Sequence, residues 1–314
     1  MADVPAEVAA LEAHERLLDS NGLQVCCARA ARIPSVLEEI GRLRELTFRA
    51  AGEGTGKACD VDEFDAHYLH LFLWDAALGR VAGAYRLGLV DEILASRGKR
   101  GLYTHSLFSY PTRLLTALGP AIELGRSFVR LEYQRDFAPL FLLWRGIARF
   151  VERSPKYAVL FGAVSISAAY SAASRRLMVE YLSAHCAEER FASQVRPRAP
   201  YGEGLPSEEP VPQSLEELAR LVAQIEEDRK GVPVLLRQYL RLGGRLLGFT
   251  VDSGFGNTLD GLIMVDLRQI EPAVLARYMG KAASAAFLAH HGLDGLRPMT
   301  SRMGLQASSM SAVQ

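Results

Sequence analysis

The sequence contains few cysteines and no excess of charge of either sign. Its 314 residues include 4 cysteines, and 36 basic side chains balance 36 acidic ones. The cysteines form no CxxC pair, so they predict neither a disulfide framework nor a zinc site, and no metal is expected. This cysteine usage favours a reducing, cytoplasmic compartment. The balanced charge argues against a general nucleic-acid binder, so no nucleic-acid partner is expected.

Long apolar runs and targeting signals are also missing. No run of about 18 uninterrupted apolar residues is present. Even the stretch PLFLLWRGIARFV is broken by Arg145 and Arg149. The acidic stretch MADVPAEVAALEAHERLLDS lacks the basic start and apolar block that are typical of a signal peptide. Any membrane contact is therefore expected to be peripheral, at the inner face of the membrane.

Several common catalytic motifs are absent as well. The stretch AAGEGTGKACDVDEFD resembles a phosphate-binding loop, but Ala51 and Ala58 occupy positions where that motif needs glycine and serine or threonine. It is interpreted as a mobile loop. There is no GxSxG nucleophile motif, and the adjacent His290 and His291 do not have metal-ligand spacing.

The residue pattern predicts an α/β (α+β) fold with a mixed central sheet and flanking helices. Apolar residues make up 49% of the chain, which is enough for a sizeable core. Helices are predicted over 5–19 and 34–50, followed by a hairpin and a loop-rich passage over 91–118. The order strand, helix, strand over 119–167 then indicates a parallel or splayed pair with a crossover helix.

The same pattern divides the chain into five segments. They are an N-terminal helical segment (1–33), a core (34–186), a proline-rich linker or loop (187–213), a C-terminal part completing the sheet and helices (214–296), and a flexible tail (297–314).

The stretch GPAIELGRSFVRLEYQ is a predicted core strand that carries two opposite charges. Glu123 and Arg126 lie three residues apart, so a regular strand would place them on opposite faces. One inserted residue reverses that parity, and glycine is the usual occupant of such a bulge. A bulge near Gly125 would bring both charges to one side and leave backbone N–H groups free for an oxyanion. A structural ion pair at a strand end is the alternative.

Other charged residues could join this site. Arg86 shares its strand face with Ala82, Ala84 and Gly88, which leaves space for a ligand or a carboxylate, although an edge arginine that reaches water is equally compatible. The DVDEFD stretch supplies Asp62 and Asp65, which could hold an amine or pair with arginines, or simply cap a helix. Ser165 and Ser167 are interpreted as small side chains beside a narrow slot.

Two arginine stripes recur at four-residue spacing, and each stripe would share one helix face. The first comprises Arg145, Arg149 and Arg153, and the second comprises Arg237, Arg241 and Arg245. Both are compatible with a solvated face, or with docking of an acidic partner or anionic lipid.

In chain order, Arg44, Phe48, the DEFD aspartates, the AYRL arginine and the ELGRS pair resemble the signature of the acyl-homoserine lactone synthases and their relatives among the GNAT-like N-acyltransferases. Those relatives include long-chain N-acyl amino acid synthases and ornithine lipid acyltransferases. The resemblance covers residues 35–185. The stretch VPVLLRQYLRLGGRLLGFTVDSGFGNTLDGLIMVDL resembles the C-terminal part of the ornithine branch.

The resemblance implies transfer of a long (3-hydroxy)acyl chain from acyl carrier protein to the α-amine of an amino acid, with ornithine as the expected acceptor and lyso-ornithine lipid as the product. No cofactor is expected beyond the donor's phosphopantetheine thioester. The stretch YQRDFAPL lacks the glycines of enzymes that use coenzyme A, and this favours the carrier protein as donor. An acidic carrier would dock on Arg145, Arg149 and Arg153.

The resemblance also implies roles for individual residues. Glu123 is the candidate general base, and Arg126 is expected to act with it. Arg86 and Arg126 could hold the substrate carboxylate, and Asp62 or Asp65 could hold a side-chain ammonium. Equally, these charges could form a network with Arg44 that only shapes the site. A further set is expected to bind the acyl donor: Phe128, Arg135, Leu140 and Ser165.

Three alternatives remain open at this point. The enzyme could acylate another amino acid, or it could be an acyl-homoserine lactone synthase. The third alternative is a non-catalytic module that binds an acyl carrier or a lipid, and it would bind the donor without consuming the thioester. The retained Glu123 and Arg126 favour an enzyme, because a binding module needs neither a base nor a bulge.

Overall fold

A computed structural model describes residues 3–202 and 210–293 of the chain. Its centre is a mixed sheet of eight strands in the order β1-β2-β3-β4-β6-β7-β10-β9, and a two-stranded sheet pairs β5 with β8. The strands are β1 (Arg16–Ser20), β2 (Leu23–Arg29), β3 (Leu69–Asp75), β4 (Arg80–Leu89), β5 (Phe108–Ser109), β6 (Ala121–Val129), β7 (Val159–Ile166), β8 (Arg196–Pro197), β9 (Arg245–Asp252) and β10 (Thr258–Asp266). The predicted fold class is thereby confirmed.

Helices cover both faces of the sheet. They are α1 (Val4–Ala9), α2 (Pro34–Ala50), α3 (Val90–Arg97), α4 (Thr104–Leu107), α5 (Thr112–Leu118), α6 (Ala138–Arg153), α7 (Ala172–His185), α8 (Glu189–Ala192), α9 (Leu215–Ile225), α10 (Val234–Arg241), α11 (Pro272–Met279) and α12 (Lys281–His290). Short 3₁₀ turns lie at Ala30–Arg32, Gly98–Gly101 and Leu131–Tyr133. Helix α6 packs on one face of the sheet, and α2 packs on the other across β4 and β6. Within the described residues, no helix is long and apolar enough to cross a membrane.

The predicted N-terminal helical segment over 1–33 is wrong. Helix α1 ends at Ala9, and residues 16–29 form an antiparallel hairpin that joins the main sheet. Asn21 and Gly22 link its strands with φ values of 53° and 81°, as a tight two-residue turn requires. The hairpin forms instead of the helix because every residue of β2 has a pairing partner on β3. The sheet therefore begins before residue 34.

The strand pair that frames the centre of the sheet is parallel and splayed, as predicted. β6 and β7 pair only at their first three positions, from Ala121 with Val159 to Glu123 with Phe161. The strands meet closely where pairing ends: a Cβ added to Gly162 would lie 2.1 Å from the Leu124 carbonyl oxygen. Beyond this point the strands diverge, and α6 makes the connection between them. The divergence opens a gap in the middle of the sheet.

The C-terminal part completes the sheet through β9 and β10, which lie beyond β7. Residues 187–202 of the predicted linker or loop are held against the sheet, so they form a surface loop and not a linker. Their backbone pairs with β9: Glu188 N–H donates to the Leu246 carbonyl, and Val251 N–H donates to the Ala199 carbonyl. These hydrogen bonds satisfy an edge strand that would otherwise be exposed. The predicted tail, 297–314, lies outside the described residues.

The passage over 91–118 is also more regular than predicted, since it holds α3, α4 and α5 around a buried cluster against β6, β7 and β10. It packs on the face of the sheet that carries the buried charges of β4, β6 and β10. One face of the sheet is therefore largely apolar under α6, and the other carries the candidate chemistry.

Candidate active site

A cleft of about 720 Å³ opens where β6 and β7 diverge. Its walls come from the end of α2 and the following loop, from β6 and β7, and from the first turn of α10. Its rim exposes three apolar side chains, those of Leu131, Phe137 and Val234. Gly125 lies in the floor, and a Cβ added there would contact no atom within 4 Å. The absence of that side chain leaves the β6 backbone accessible to a ligand.

Strand β6 contains the predicted bulge, but its position is Arg126 rather than Gly125. Gly125 pairs with Arg86 and Phe128 pairs with Ala84, so Arg126 and Ser127 together stand opposite Tyr85 alone. Arg126 adopts the left-handed conformation, with φ of 48°, which a non-glycine residue rarely takes. In a regular strand Glu123 and Phe128 would point to opposite faces, because they are an odd number of residues apart. The extra residue of the bulge brings both to the α2 face. Neither Arg126 nor Ser127 has a ladder partner on β4 or β7 among the described pairings.

Beneath this floor lies a fully buried ionic network. Asp65 accepts a hydrogen bond of 2.8 Å from Arg44 and lies 3.3 Å from Nη1 of Arg86. Burial raises the pKa of Asp65, but the two guanidinium groups outweigh it and hold that pKa well below its usual range. Burial and the same cations lower the pKa of His70 to about 4, so the ring stays neutral at pH 7. Arg44, Asp65 and Arg86 are thus enclosed, which favours the network interpretation over direct substrate contact.

Asp62 links this network to the cleft. Its carboxylate accepts a hydrogen bond of 2.5 Å from Arg86 and lies 3.7 Å from Nη2 of Arg126. Nε of Arg126 lies 3.1 Å from Asp60, and its guanidinium stacks over the rings of Tyr103 and Phe255. The space that the small neighbours of Arg86 leave is filled by carboxylates and aromatic rings. Arg126 is the one member of the Arg44, Arg86 and Arg126 set that lines the cleft.

Glu123 is buried behind the floor of the cleft and does not line it. The Tyr68 hydroxyl donates to its carboxylate. The backbone N–H groups of Tyr103 and Thr104 also donate to it, at 3.1 and 2.6 Å. Burial raises the pKa of Glu123, while the hydrogen bonds from Thr104 and Tyr68 oppose the rise. This enclosure fixes the Tyr103–Thr104 segment, and a proton-transfer role for Glu123 stays a prediction.

The residues expected to bind the acyl donor are brought together by the fold. Phe128, Arg135, Leu140 and Ser165 all line the cleft, and so does Phe48, whose ring meets that of Phe255 edge to face. Their role in donor binding stays a prediction.

The expected docking stripe on α6 is not a free arginine surface. Arg149 is paired with Glu152, and Arg153 donates to the backbone carbonyls of His14 and Arg16. Arg145 makes no ion pair within the residues that the structure describes. The second stripe is also broken, because α10 ends at Arg241 and Arg245 begins β9. Helix periodicity alone could not reveal these partners, which come from distant parts of the chain.

Several residues of the site escaped prediction. Tyr68, Tyr103 and Thr104 surround Glu123, and two of them contribute backbone groups, which leave no mark in a sequence. Glu53 and Asp260 line the cleft as acidic side chains. An aspartate inside the apolar stretch LDGLIMVDL was a visible signal for Asp260. Glu53 was overlooked because its glycine-rich stretch was treated only as a failed phosphate loop.

The acetyltransferase (GNAT) domain family matches residues 43–144, which contain the second half of α2, the buried network and the bulged strand. A structure of a CoA-dependent acyl-homoserine lactone synthase with SAM and isopentyl-CoA aligns over 82% of this chain and 90% of that chain, at 14% identity and a TM-score of 0.42.

Two relatives extend the match over most of the chain. A glycine N(alpha)-acyltransferase of Phocaeicola vulgatus is 30% identical over 258 residues, covering 76% of this chain and 78% of the relative. An L-ornithine N(alpha)-acyltransferase of Rhodobacter capsulatus is 32% identical over 255 residues, covering 76% and 88%. These matches set aside the non-catalytic alternative. The chain belongs to the family of GNAT-related amino acid N(alpha)-acyltransferases and is an acyltransferase enzyme.

Proposed function

We propose that the protein transfers a long (3-hydroxy)acyl chain from acyl carrier protein to the α-amine of ornithine, giving lyso-ornithine lipid. The observation that carries this proposal is the bulge at Arg126 and Ser127, which presents backbone without ladder partners to the cleft between β6 and β7. A thioester whose carbonyl lies over the bulge would accept hydrogen bonds from the backbone N–H groups of Arg126 and Ser127. They would stabilise the oxyanion as the amine attacks.

The shape of the cleft supports a thioester on a narrow arm. Phe128 and Leu140 offer apolar contacts for the acyl chain, while Arg135 offers a cation for the single phosphate of a pantetheine arm. The exposed apolar rim formed by Leu131, Phe137 and Val234 continues this surface outward. The peripheral membrane contact expected from the sequence, for which the second arginine stripe was a candidate surface, stays a prediction.

The start of α6 supports a carrier protein rather than coenzyme A as the donor. A helix N-terminus binds a pyrophosphate through free N–H groups and a favourable dipole. Here the Asp136 carboxylate accepts a hydrogen bond of 2.9 Å from the N–H of Ala138. A pyrophosphate would meet this negative charge, whereas a donor with one phosphate could bind elsewhere along the cleft.

Ornithine is favoured over glycine as the acceptor by negative charge at the end of the cleft where Glu53 and Asp260 lie. Glu53 and Asp260 line the cleft beside Arg126, whose own charge is already matched by Asp60 and Asp62. An excess of negative charge favours an acceptor with a second ammonium group. The resemblance of the C-terminal part to the ornithine branch points the same way. Glycine is the second candidate, because relatives of this chain are named glycine N(alpha)-acyltransferases.

The proposal is tested by following product mass and thioester consumption with purified protein. Long-chain acyl carrier protein and acyl-coenzyme A are each offered with an equimolar mixture of amino acids. We expect an amide of ornithine as the main product, and a higher kcat/KM with the carrier protein. A main product on glycine would refute the acceptor, equal use of coenzyme A would refute the donor, and no amide at all would refute the function.

A further inference from the structure

Asp260 is a buried acid in the cleft wall without a matching cation of its own. It lies inside β10, opposite Ser165 of β7, and is 2% exposed. Its Oδ1 atom has no hydrogen-bond partner within the residues that the structure describes. A buried carboxylate oxygen without a partner is costly unless a ligand completes it. The position of Asp260 in the cleft wall makes a ligand contact possible.

Glu53 supplies a second acid to the same end of the cleft. It is held there by two contacts of its loop. The Ser167 hydroxyl donates to the Ala51 carbonyl at 2.7 Å, and Gly256 packs so closely that an added Cβ would lie 3.1 Å from Cα of Glu53. In the part of the chain that the structure describes, the Glu53 carboxylate makes neither a hydrogen bond nor an ion pair.

Both acids have raised pKa values. Burial raises the pKa of Glu53 to about 7, and the charge of Asp260 adds to the rise. Burial raises the pKa of Asp260 to about 6, with the Ser165 hydroxyl opposing the rise and Asp252 adding to it. Both carboxylates therefore ionise near neutral pH, where a bound cation would stabilise their charged forms.

Arg126 does not serve as that cation. Its Nε lies 3.1 Å from Asp60, its Nη2 lies 3.7 Å from Asp62, and its Nη1 donates to the Tyr103 hydroxyl at 3.1 Å. These contacts engage Nε and both terminal nitrogens of its guanidinium. Its charge lowers the pKa of Glu53 and of Asp260 without offsetting the rise that burial causes. The cleft end thus combines two acids with one cation that is already paired, and it suits a positively charged ligand.

We propose that Asp260 binds the ammonium group of the acceptor that becomes the nucleophile and takes the proton which this group must lose before it attacks, while Glu53 binds the second ammonium group of the acceptor. This inference rests on the proposed N-acyl transfer. It assigns the proton acceptor to β10 instead of to Glu123, whose carboxylate is enclosed by donors behind the floor.

The ammonium gives one proton to the Asp260 carboxylate, and the free amine forms a C–N bond to the thioester carbonyl carbon. The tetrahedral intermediate expels the thiolate as the C–S bond breaks, and the thiolate takes the second proton of the original ammonium. The products are an amide and a thiol, and Asp260 returns its proton to solvent. A carboxylate that ionises near neutral pH suits this task, since a general base works best with a pKa near the working pH.

The test compares Asp260→Asn, Glu53→Gln and Glu123→Gln with a matched control, Asp266→Asn. Asp266 is the second aspartate of β10, and it pairs with Arg268 at the far end of that strand, outside the cleft. Each variant is assayed with carrier-bound donor and ornithine from pH 5 to 9, and again with hydroxylamine as the acceptor. Hydroxylamine is largely neutral at pH 7 and needs no base to attack a thioester. Thermal unfolding verifies that each variant is folded.

We expect wild-type kcat/KM for ornithine to rise with pH through about 6 to 7, as the pair ionises. Asp260→Asn should lower kcat about 10²- to 10⁴-fold, remove this inflection and retain the hydroxylamine reaction. Glu53→Gln should raise KM for ornithine about tenfold or more, with KM for the donor unchanged. Asp266→Asn should behave as wild type.

Three results would overturn the inference. One is an Asp260→Asn variant that keeps the pH inflection, or that loses the hydroxylamine reaction as severely as the ornithine reaction. Another is removal of the inflection by Glu123→Gln alone. The third is a Glu53→Gln variant with unchanged KM for ornithine. If Asp260→Asn does not fold, the KM of this Glu53→Gln variant alone upholds or overturns the proposed ammonium site. A wild-type enzyme that forms no amide with any amino acid would instead refute the proposed function.

Discussion

Replacement of Asp65 by alanine is expected to lower the free energy of unfolding by about 3–5 kcal/mol. Asp65 is the carboxylate shared by Arg44 and Arg86, and all three side chains are fully buried. Its removal leaves two guanidinium groups in the core with their strongest common partner gone. The cost is large because the buried Arg44 then has no ion-pair partner among the described residues, and Arg86 keeps only Asp62. Urea unfolding at pH 7 measures the effect.

The same contact predicts a pH dependence. The pKa of Asp65 lies below its usual range, so its contribution is complete above an aspartate's ordinary pKa of about 4 and is lost as pH falls below it. The wild type and Asp65→Ala should therefore differ most near neutral pH and converge in acid. Glu63→Ala is the matched control, because Glu63 lies two residues away and is exposed. An Asp65→Ala variant as stable as Glu63→Ala would contradict this account of the network.

A second large effect is expected at the bulge, from a pair of variants that differ in backbone preference. Arg126→Asn and Arg126→Val both remove the guanidinium and its contact with Asp60. Asparagine tolerates the left-handed conformation that residue 126 adopts, and valine does not. Valine should therefore favour a regular strand, which moves every following side chain to the other face. We expect kcat of the valine variant to lie about 10²- to 10³-fold below that of the asparagine variant.

The comparison within the pair isolates the backbone, because both variants lack the same charge. Steady-state acyl transfer with carrier-bound donor gives kcat, and denaturant unfolding gives the folded fraction for which each rate is corrected. Equal kcat values in the two folded variants would show that the bulge contributes nothing to turnover.

The sequence contains enough information to predict the bulge but not its position. Glu123 and Arg126 differ in strand parity, so an irregularity in the strand is needed if both are to serve one face, and the observed bulge begins at Arg126. Gly125 was the natural choice on backbone preference alone. The structure places the left-handed conformation at Arg126, where contacts with Asp60, Asp62 and Tyr103 offset the conformational cost. Those partners come from two other segments, and strand parity carries no information about them.

Apolar periodicity predicted the helices and strands whose hydrogen bonds join residues close in sequence. It failed where the hydrogen bonds join distant segments. Helix α2 and the β3–β4 hairpin lie where apolar periodicity predicted them. Residues 16–20 continue the helical pattern of α1, yet they form a strand because the Asn21–Gly22 turn joins them to β2. Likewise, Tyr103 and Thr104 belong to the site through backbone N–H groups that donate to Glu123. No side-chain pattern encodes such contacts.

The central claim is that the backbone N–H groups of Arg126 and Ser127 receive the thioester carbonyl. Residue-resolved hydrogen exchange tests it directly, using a donor analogue in which a methylene group replaces the thioester sulfur and the carbonyl is kept. Within the described strands, Arg126 and Ser127 have no register partner of their own on β4 or β7, so we expect their amides to exchange fast in the free protein and slowly in the complex. Unchanged exchange at both positions, with protection elsewhere in the cleft, would contradict the account.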